Sequence, residues 1–251
     1  SGSGKELVAR AIHRLGPRGR RRLCAVNCAA LTDELHEAEL FGHTRGAFTG
    51  AVAERKGLFE EADGGSLILD EVGELSPRAQ AKLLRAIQEG EVRRIGESFA
   101  RSVDVRVIAA SNRPLRAAAE AGAFRRDLLY RLEVIRILVP PLRDRVEDIP
   151  ILAGQFWSQS TARLGSRATL ASATLATLAR YDWPGNVREL QNVMAALAVA
   201  SGSRGSIGPE RLPAVIAREA AGTPAATLDA ARRVFEIRFV RAAMAKAGGQ
   251  R

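Results

Sequence analysis

The feature that most constrains the fold is a short apolar run that ends in two acids. Residues 66–69 read Ser-Leu-Ile-Leu, and Asp70 and Glu71 follow directly. An apolar run without alternation indicates a strand that is buried on both faces, as in a parallel sheet. Parallel strands need long crossover connections, which are usually helices. The run therefore predicts an α/β fold with helices on both faces of a parallel sheet.

The sequence around this run alternates between helix-like and strand-like segments from residue 5 to about 139. Further strands are predicted at 23–28, 105–110 and 134–139. Ser76 and Pro77 predict a helix start, with Ser at the N-cap and Pro in the first turn. The core stripe of that helix is predicted to be Ala79, Leu83, Leu84 and Ile87. Alternation of this kind indicates a parallel sheet covered by helices.

Composition changes along the chain predict the domain organisation. Pro140 and Pro141 end the alternating part, which we expect to be an α/β core of residues 1–140. Beyond it we expect a purely helical subdomain at 141–200, a Gly-, Ser-, Pro- and Ala-rich linker at 201–227, and a terminal helix from about Leu228 to Ala247 within 228–251.

Composition also excludes several classes of protein. No apolar run approaches the roughly 20 residues that span a bilayer, and the first residues do not resemble a signal peptide. The two cysteines, Cys24 and Cys28, lie on a predicted strand about 13 Å apart, which is too far for a disulfide. We therefore expect a reduced, cytoplasmic protein without a zinc site. The net charge of +10 suits nucleotides or DNA, but a general arginine bias explains it equally well.

The first residues contain most of a phosphate-binding loop. Ser1, Gly2, Ser3, Gly4 and Lys5 provide backbone N–H groups that can surround phosphates and a lysine that can reach the outer ones. Glu6 stands where this pattern asks for Ser or Thr. A flexible end or a cloning remnant is the alternative. We expect the first glycine of the pattern and its preceding strand to lie before Ser1, so that the chain is a fragment.

The acids after the apolar run supply what a phosphate loop lacks. Asp70, at the end of the strand, is predicted to hold Mg²⁺, and Glu71 to orient and deprotonate an attacking water. Paired acids at a strand end can also simply cap the next turn. Their position after a buried strand, in a chain with a phosphate loop, favours nucleotide hydrolysis.

The most specific stretch is a Gly-flanked apolar hexamer in a predicted loop, residues 46–51, which we call the signature loop. Its residues are Gly46, Ala47, Phe48, Thr49, Gly50 and Ala51. An exposed Phe48 indicates a binding surface, whereas a buried turn is the alternative. This six-residue sequence resembles the signature sequence of the sigma-54-dependent transcription activators, or bacterial enhancer-binding proteins. In that family its Phe and Thr contact the sigma factor, and the ATP state raises or lowers the loop.

The resemblance continues along most of the chain and implies a fold and a catalytic set. It implies an AAA+ P-loop three-layer sandwich with a parallel sheet, followed by a small all-α lid. Glu6 after the loop lysine is usual in the family. Asn27 matches the switch residue that hydrogen-bonds the catalytic glutamate, here Glu71, and Asn112 matches the first sensor, close to the γ-phosphate of ATP.

Three arginines also gain roles by resemblance. Arg125 and Arg131 match arginine fingers that reach the nucleotide of a neighbouring subunit, and Arg188 matches the second sensor in the lid. Each has a simpler explanation as a solvated or salt-bridged surface residue. Fingers supplied in trans imply a homo-oligomer, which the resemblance makes a hexameric ring.

The implied function is ATP-dependent activation of transcription. Its partner is the sigma-54 RNA polymerase holoenzyme, its ligands are ATP and Mg²⁺, and no membrane is involved. Residues 228–251 resemble the start of the family's C-terminal Fis-like DNA-binding region. DNA is bound by a helix-turn-helix of that region, whose recognition helix the sequence does not contain. Two alternatives stay open: an AAA+ ATPase that remodels another target, and a DNA-binding regulator that has lost turnover. The intact signature loop argues against the first, and the intact Lys5, Asp70 and Glu71 against the second.

Overall fold

The computed structural model describes residues 2–30 and 32–222. They form two compact units, one of residues 4–138 and one of residues 139–222 together with Gly2 and Ser3. Ser1, the end of the predicted linker at 223–227 and the predicted terminal helix at 228–247 lie outside the described residues.

The first unit alternates strands and helices. Its strands are β1 (Leu23–Asn27), β2 (Gly42–His43), β3 (Arg55–Lys56), β4 (Ser66–Asp70), β5 (Glu91–Val92), β6 (Arg101–Ser102) and β7 (Arg106–Ala109). Its α-helices are α1 (Lys5–Arg14), α2 (Asp33–Phe41), α3 (Leu58–Glu61), α4 (Pro77–Glu89), α5 (Leu115–Glu120) and α6 (Arg126–Leu132). Short 3₁₀ turns follow β1 at Cys28–Ala30 and β4 at Val72–Glu74.

A parallel sheet forms the centre of this unit, with strand order β1-β4-β7. The middle strand carries the apolar run, and Leu67, Ile68 and Leu69 are each 0% exposed. The predicted buried strand is therefore confirmed. β2 pairs with β3 and β5 with β6, each antiparallel.

Helix α4 begins as its sequence predicts. The Ser76 side chain accepts a hydrogen bond from the Ala79 backbone N–H, and Pro77 occupies the first turn. The predicted stripe faces the core: Ala79, Leu83 and Leu84 are buried, and Ile87 is partly buried against the same cluster.

The prediction of a strand at 134–139 is wrong. This segment has no regular structure, and Val134, Ile135 and Leu138 are 80%, 81% and 77% exposed. Strand formation needs a backbone partner, and no described strand pairs with this segment. Since no described strand pairs with the free side of β7, β7 is an edge strand of the described sheet. The predicted strand at 105–110 is found at 106–109, but only partly buried.

The second unit is helical around one small parallel strand pair. It contains α7 (Asp148–Leu164), β8 (Thr169–Leu170), α8 (Ser172–Leu178), α9 (Asn186–Ala200), β9 (Ser206–Ile207) and α10 (Ala214–Gly222). Its core includes Trp157, Leu190 and Met194. Tyr181 and Trp183 add an edge-to-face ring contact with centroids 5.0 Å apart.

Two predictions for this part of the chain are corrected. Residues 141–200 are not purely helical, because β8 pairs with β9. The predicted linker at 201–227 is structured through residue 222, since β9 and α10 lie within it. Ile207, Leu212 and Ile216 are buried in the core of the second unit. These apolar residues are sparse in a Gly- and Ser-rich sequence, so composition hides them. Among the described residues, no helix is long and apolar enough to cross a membrane.

Candidate active site

The predicted catalytic residues lie at the carboxyl ends of the three parallel strands, which we call the carboxyl edge. Asn27 ends β1 and is in register with Asp70, which ends β4. Glu71 follows Asp70, and Asn112 lies three residues beyond the end of β7. Parallel strands present these ends on the same side of the sheet, which is where open α/β sheets bind their ligands.

A continuous chain of hydrogen bonds joins three predicted site residues. Lys5 Nζ donates to Asn112 Oδ1. Asn112 Nδ2 donates to Glu71 Oε1, and the Asn112 backbone N–H donates to Glu71 Oε2 at 2.9 Å. The amide of Asn112 therefore connects the cation of the phosphate loop with the carboxylate of Glu71. Both oxygens of Glu71 are held in one orientation.

The backbone of Glu71 is also unusual. Its φ of 54° lies in the left-handed region, which residues other than glycine rarely adopt. Such conformations are maintained by their surroundings and concentrate at functional sites. Here the two bonds from Asn112 fix the side chain, and the Val72 backbone N–H donates to the Ala110 carbonyl at 3.0 Å.

Asp70 is half-buried beside these groups. Burial raises its pKa, and the negative charge of Glu71 raises it further, while a hydrogen bond from the Glu71 backbone N–H and the charge of Lys5 oppose the shift. That N–H donates to Oδ1 at 3.1 Å. A desolvated carboxylate beside a second acid is suited to a cation, since a cation would relieve both unfavourable interactions. Among the described residues, no cluster of three or more His, Cys, Asp or Glu forms a complete metal cage.

The prediction that Asn27 hydrogen-bonds Glu71 is wrong in this structure. Asn27 Oδ1 accepts instead from the Ala29 backbone N–H at 2.9 Å, and Glu71 is bound by Asn112. The local bond forms because a short amide side chain readily reaches the backbone two residues on. Asn27 and Asp70 remain neighbours across the sheet.

The predicted phosphate loop is divided between the two units. Gly4 caps α1 with a φ of 96°, and the Val8 backbone N–H donates to its carbonyl at 3.1 Å. Gly2 belongs to the second unit and has a φ of 73°. A Cβ on Gly2 would lie 2.6 Å from the Gly185 carbonyl oxygen, so the position requires glycine. Glu6 forms an exposed ion pair with Arg10 at 2.8 Å.

One residue of this loop's surroundings was missed by sequence reasoning. Arg145 Nη2 donates to the Ser3 carbonyl at 2.6 Å, and Arg145 also lies 3.7 Å from Asp148. The two partners are 142 residues apart in the sequence. No local pattern marks such a contact, so only the fold reveals it.

The three predicted functional arginines lie on exposed surfaces. Arg125 forms a paired hydrogen bond with Asp127, at 3.0 and 2.7 Å, which raises the pKa of the guanidinium. Arg131 is exposed in the last turn of α6. Arg188 is exposed on α9, and its Cβ lies 3.1 Å from the position of a Cβ on Gly2. The structure brings Arg188 and Gly2 together within the second unit.

The signature loop is exposed and held mainly at its base. Gly46 and Gly50 have φ values of 77° and 102°, which allow the chain to reverse. The Gly46 backbone N–H donates to the Ala51 carbonyl at 2.8 Å. Phe48 is 40% exposed, and its ring centroid lies 5.0 Å from that of His43. The predicted exposure of Phe48 is confirmed, and the alternative of a buried turn is wrong.

An ion-pair network beside the base of this loop was also missed. Arg94 and Glu60 form a paired hydrogen bond at 2.6 and 2.8 Å, with side chains only 5% and 11% exposed. Glu54, on the chain leaving the loop, lies 3.7 Å from Arg94. The hydrogen bond and charge of Arg94 lower the pKa of Glu60. Arg-rich sequences give no indication of which arginine is buried.

Comparison with known families decides the relationship. The Sigma-54 interaction domain matches residues 1–138. The chain belongs to this family. An AAA+ ATPase lid domain matches residues 143–228, so the predicted AAA+ fold with a lid is confirmed.

Individual relatives agree with this assignment. The chain is 52% identical over 221 residues to the transcriptional regulatory protein ZraR of Escherichia coli K12, covering 86% of this chain and 49% of that protein. The structures of NtrX from Brucella abortus, solved in complexes with ADP and with ATP, each have a TM-score of 0.79 and 34% identity and cover 100% of this chain. The chain covers 58% and 57% of those two chains. It spans about half the length of the curated relatives it matches.

Proposed function

We propose that this chain is the ATPase domain of an activator of the sigma-54 RNA polymerase holoenzyme. It hydrolyses ATP within a ring of identical subunits and uses the cycle to remodel the closed promoter complex. The observation that carries the proposal is the hydrogen-bond chain from Lys5 through Asn112 to Glu71, in a member of the Sigma-54 interaction domain family. The NtrX complexes with ADP and ATP support nucleotide binding at the corresponding fold.

The proposed roles at the carboxyl edge follow from chemistry. Lys5 and the backbone N–H groups from Gly2 to Glu6, with Ser1, bind the phosphates. Glu71 accepts a proton from the attacking water and is oriented by Asn112. Because Asn112 also accepts from Lys5, arrival of the γ-phosphate gives Lys5 a new partner and so alters the bond that orients Glu71. Asn27, beside Asp70, is available to either acid after such a change.

Asp70 is the residue proposed to hold Mg²⁺. Its carboxylate would hold the ion, and the ion would neutralise charge on the phosphates. Burial beside Glu71 makes a bound cation favourable at this carboxylate. The charge and the desolvated setting of Asp70 therefore fit a cation.

The arginines complete the site between subunits. Arg125 and Arg131 are exposed, so each can reach a neighbouring subunit, where a guanidinium stabilises charge on the transferred phosphoryl group. Arg188 of the lid senses the γ-phosphate. A monomer cannot complete its own site under this proposal, which is why a ring, by family resemblance a hexamer, is part of it.

The signature loop is the proposed contact with the sigma factor. An exposed aromatic in a loop fixed only at its base is suited to a partner, because binding buries Phe48 without unfolding the domain. The proposed organisation is an ATPase core at 1–140 and a lid that starts at 141. We place the protein in the cytoplasm. Specific DNA binding is assigned to a C-terminal region outside the described residues.

The test uses the full-length protein. ATP turnover and sigma-54 promoter opening are measured for wild type and Thr49→Ala, with Thr169→Ala as a control at an exposed threonine of the second unit. We expect Thr49→Ala to hydrolyse ATP within about threefold of wild type and to open promoters at least tenfold more slowly. If Thr49→Ala opens promoters as well as wild type does, the activator proposal fails. If wild type hydrolyses ATP but opens no promoter, remodelling of another target becomes the better explanation.

A further inference from the structure

A buried histidine links the carboxyl edge to the helix that leads into the signature loop. His36 lies in the first turn of α2 and is 2% exposed. Its Nε2 lies 2.5 Å from the carbonyl oxygen of Cys28, a residue that is 1% exposed. A carbonyl oxygen only accepts hydrogen bonds, so the ring nitrogen is the donor. The contact therefore joins α2 to the turn that follows β1.

The acceptor side of this bond belongs to the carboxyl edge. Cys28 directly follows Asn27, which is in register with Asp70. The turn Cys28–Ala30 contacts the turn Val72–Glu74 that follows Glu71. Burial raises the pKa of the Cys28 thiol to about 12, with the charges of Asp70 and Glu71 adding to the shift. Because these two turns are in contact, a shift of the turn that follows Glu71 acts on the segment that His36 holds.

The donor side of the bond, helix α2, leads directly into the β2–β3 pair at the base of the signature loop. Helix α2 ends at Phe41, and Gly42 and His43 form β2, which pairs with β3 on the other side of the loop. A Cβ on Gly42 would lie 2.5 Å from the Arg55 carbonyl oxygen, so this junction is closely packed. The Thr44 backbone N–H then donates to the Ile95 carbonyl at 3.0 Å. We therefore expect a displacement of α2 to displace the base of the loop.

We propose that His36 is a positioning residue that transmits the nucleotide state of the carboxyl edge to the signature loop through its hydrogen bond to the Cys28 carbonyl. The inference rests on the proposed function and adds to it a specific residue. The Nε2 bond runs to a backbone carbonyl and not to a catalytic side chain, so we expect its loss to uncouple the loop rather than to stop hydrolysis.

Two substitutions separate the hydrogen bond from the packing. His36→Leu fills the buried space but has no donor, which leaves the Cys28 carbonyl without this partner. His36→Gln keeps an N–H donor at about the distance of Nε2 from the backbone. The matched control is His13→Leu, because His13 is also buried, at 5% exposure, and its Nδ1 makes a side-chain hydrogen bond to Ser66 Oγ at 2.9 Å, away from α2.

The readout is hydrogen–deuterium exchange of the full-length protein over residues 44–52, compared between the nucleotide-free state and the state with a non-hydrolysable ATP analogue. The amides of Gly46, Ala47 and Ala51 form described hydrogen bonds, so they report on loop conformation. ATP turnover and promoter opening are measured in parallel. We expect His36→Leu to lose at least four-fifths of the nucleotide-dependent exchange difference, and to open promoters at least tenfold more slowly per ATP hydrolysed. His36→Gln is expected to restore both, and His13→Leu to change neither ratio.

The outcomes distinguish this inference from the function on which it rests. A wild-type loop that does not respond to nucleotide overturns both. A wild-type loop that responds, with an equal response in His36→Leu, overturns the role of His36 alone, as does failure of His36→Gln to differ from His36→Leu. If His36→Leu does not fold, His36→Asn replaces it, because its amide is too short to reach the Cys28 carbonyl. The Gln and Asn variants are then expected to differ in the same way.

Discussion

At the carboxyl edge, Glu71 accepts two hydrogen bonds from Asn112, and Asn112 accepts one from Lys5. At the signature loop, by contrast, Phe48 and Thr49 are exposed, and the hydrogen bonds described for its residues are made by backbone atoms. The first region fixes side chains; the second fixes only the path of the chain. Hydrolysis requires groups held to within fractions of an ångström, whereas contact with a partner requires surface that can change position.

The difference implies that variants of the two regions affect different quantities: ATP turnover at the carboxyl edge and promoter opening at the signature loop. Under the proposed function, a carboxyl-edge variant is expected to stop ATP hydrolysis while leaving the loop intact, and a loop variant is expected to leave hydrolysis intact while disconnecting it from the target. Variants of the residues that support each region, such as Glu60 beside the loop and Ser76 after the carboxyl edge, are expected to reduce the free energy of unfolding instead.

The largest expected effect is that of Glu71→Gln. It preserves the shape and one acceptor oxygen but removes the proposed base, so turnover falls by about 10³-fold while ATP still binds. Single-turnover hydrolysis and equilibrium nucleotide binding on the full-length protein measure the two properties. Glu74→Gln is the control, because Glu74 is a nearby acid that pairs with Arg113 at 2.8 Å instead of joining the chain from Lys5. Comparable losses in both variants would contradict the role given to Glu71.

Next in size is Glu60→Gln at the base of the loop. It removes the charge that pairs with the buried Arg94, and we expect a loss of about 2–3 kcal/mol in the free energy of unfolding at pH 7. Urea unfolding measures it. Glu61→Gln is the control, since its partner Arg22 is mostly exposed and surface pairs contribute less than about 1 kcal/mol.

This pair also predicts a pH dependence. The pKa of Glu60 is lower in the folded protein than its ordinary value of 4.5, so the pair stabilises the protein above that pH. The stabilisation is lost as the pH falls through the lowered pKa, where the folded state must also take up the proton. The gap in stability between wild type and Glu60→Gln is therefore expected to narrow below pH 4.5. A gap that is constant from pH 7 to the acid limit would contradict the assignment.

The two regions also differ in how far sequence alone could describe them. The apolar run at 66–69 and the Ser76-Pro77 helix start were predicted correctly because their physics is local: burial of consecutive apolar residues and capping of a helix. The exposed Phe48 was predicted for the same reason. Each of these features is determined by residues within one turn or one strand.

Features that depend on distant partners were not predictable in this way. The apolar segment 134–139 has the composition of a strand, but pairing depends on a neighbour that its own residues do not specify. Asn27 ends β1 and Asn112 follows β7, and only the folded structure shows that Asn112 reaches Glu71 while Asn27 bonds the Ala29 backbone. Arg145 and the Arg94–Glu60 pair likewise depend on contacts across long stretches of the chain.

A smaller effect is expected from Gly50→Ala in the signature loop. Gly50 has a φ of 102°, and a Cβ at this position would meet open space, so the strain is confined to the backbone and is about 1–2 kcal/mol. Because the loop is exposed, we expect the strain to change its conformation: promoter opening falls by about tenfold, while turnover stays within twofold of wild type. Gly64→Ala is the control, with a φ of 70° and similarly open space outside the loop. Equal effects on promoter opening would show that general strain, rather than loop shape, is responsible.

The smallest expected effect, at Ser76, concerns what holds the carboxyl edge in place. The chain passes from Glu71 through the turn Val72–Glu74 into α4, and the Ser76 hydroxyl accepts from the Ala79 backbone N–H at 3.3 Å at the start of that helix. Ser76→Ala removes this cap and is expected to reduce the free energy of unfolding by about 1 kcal/mol. Thr32→Ala is the control at the start of α2, because Thr32 occupies the N-cap position without a side-chain capping bond. In urea unfolding, the free energies of unfolding of the two variants are expected to differ by most of that amount. If Thr32→Ala lowers the free energy of unfolding as much as Ser76→Ala does, the start of α4 is no better capped than the start of α2. The contrast between the carboxyl edge and the signature loop would then not extend to the helices next to them.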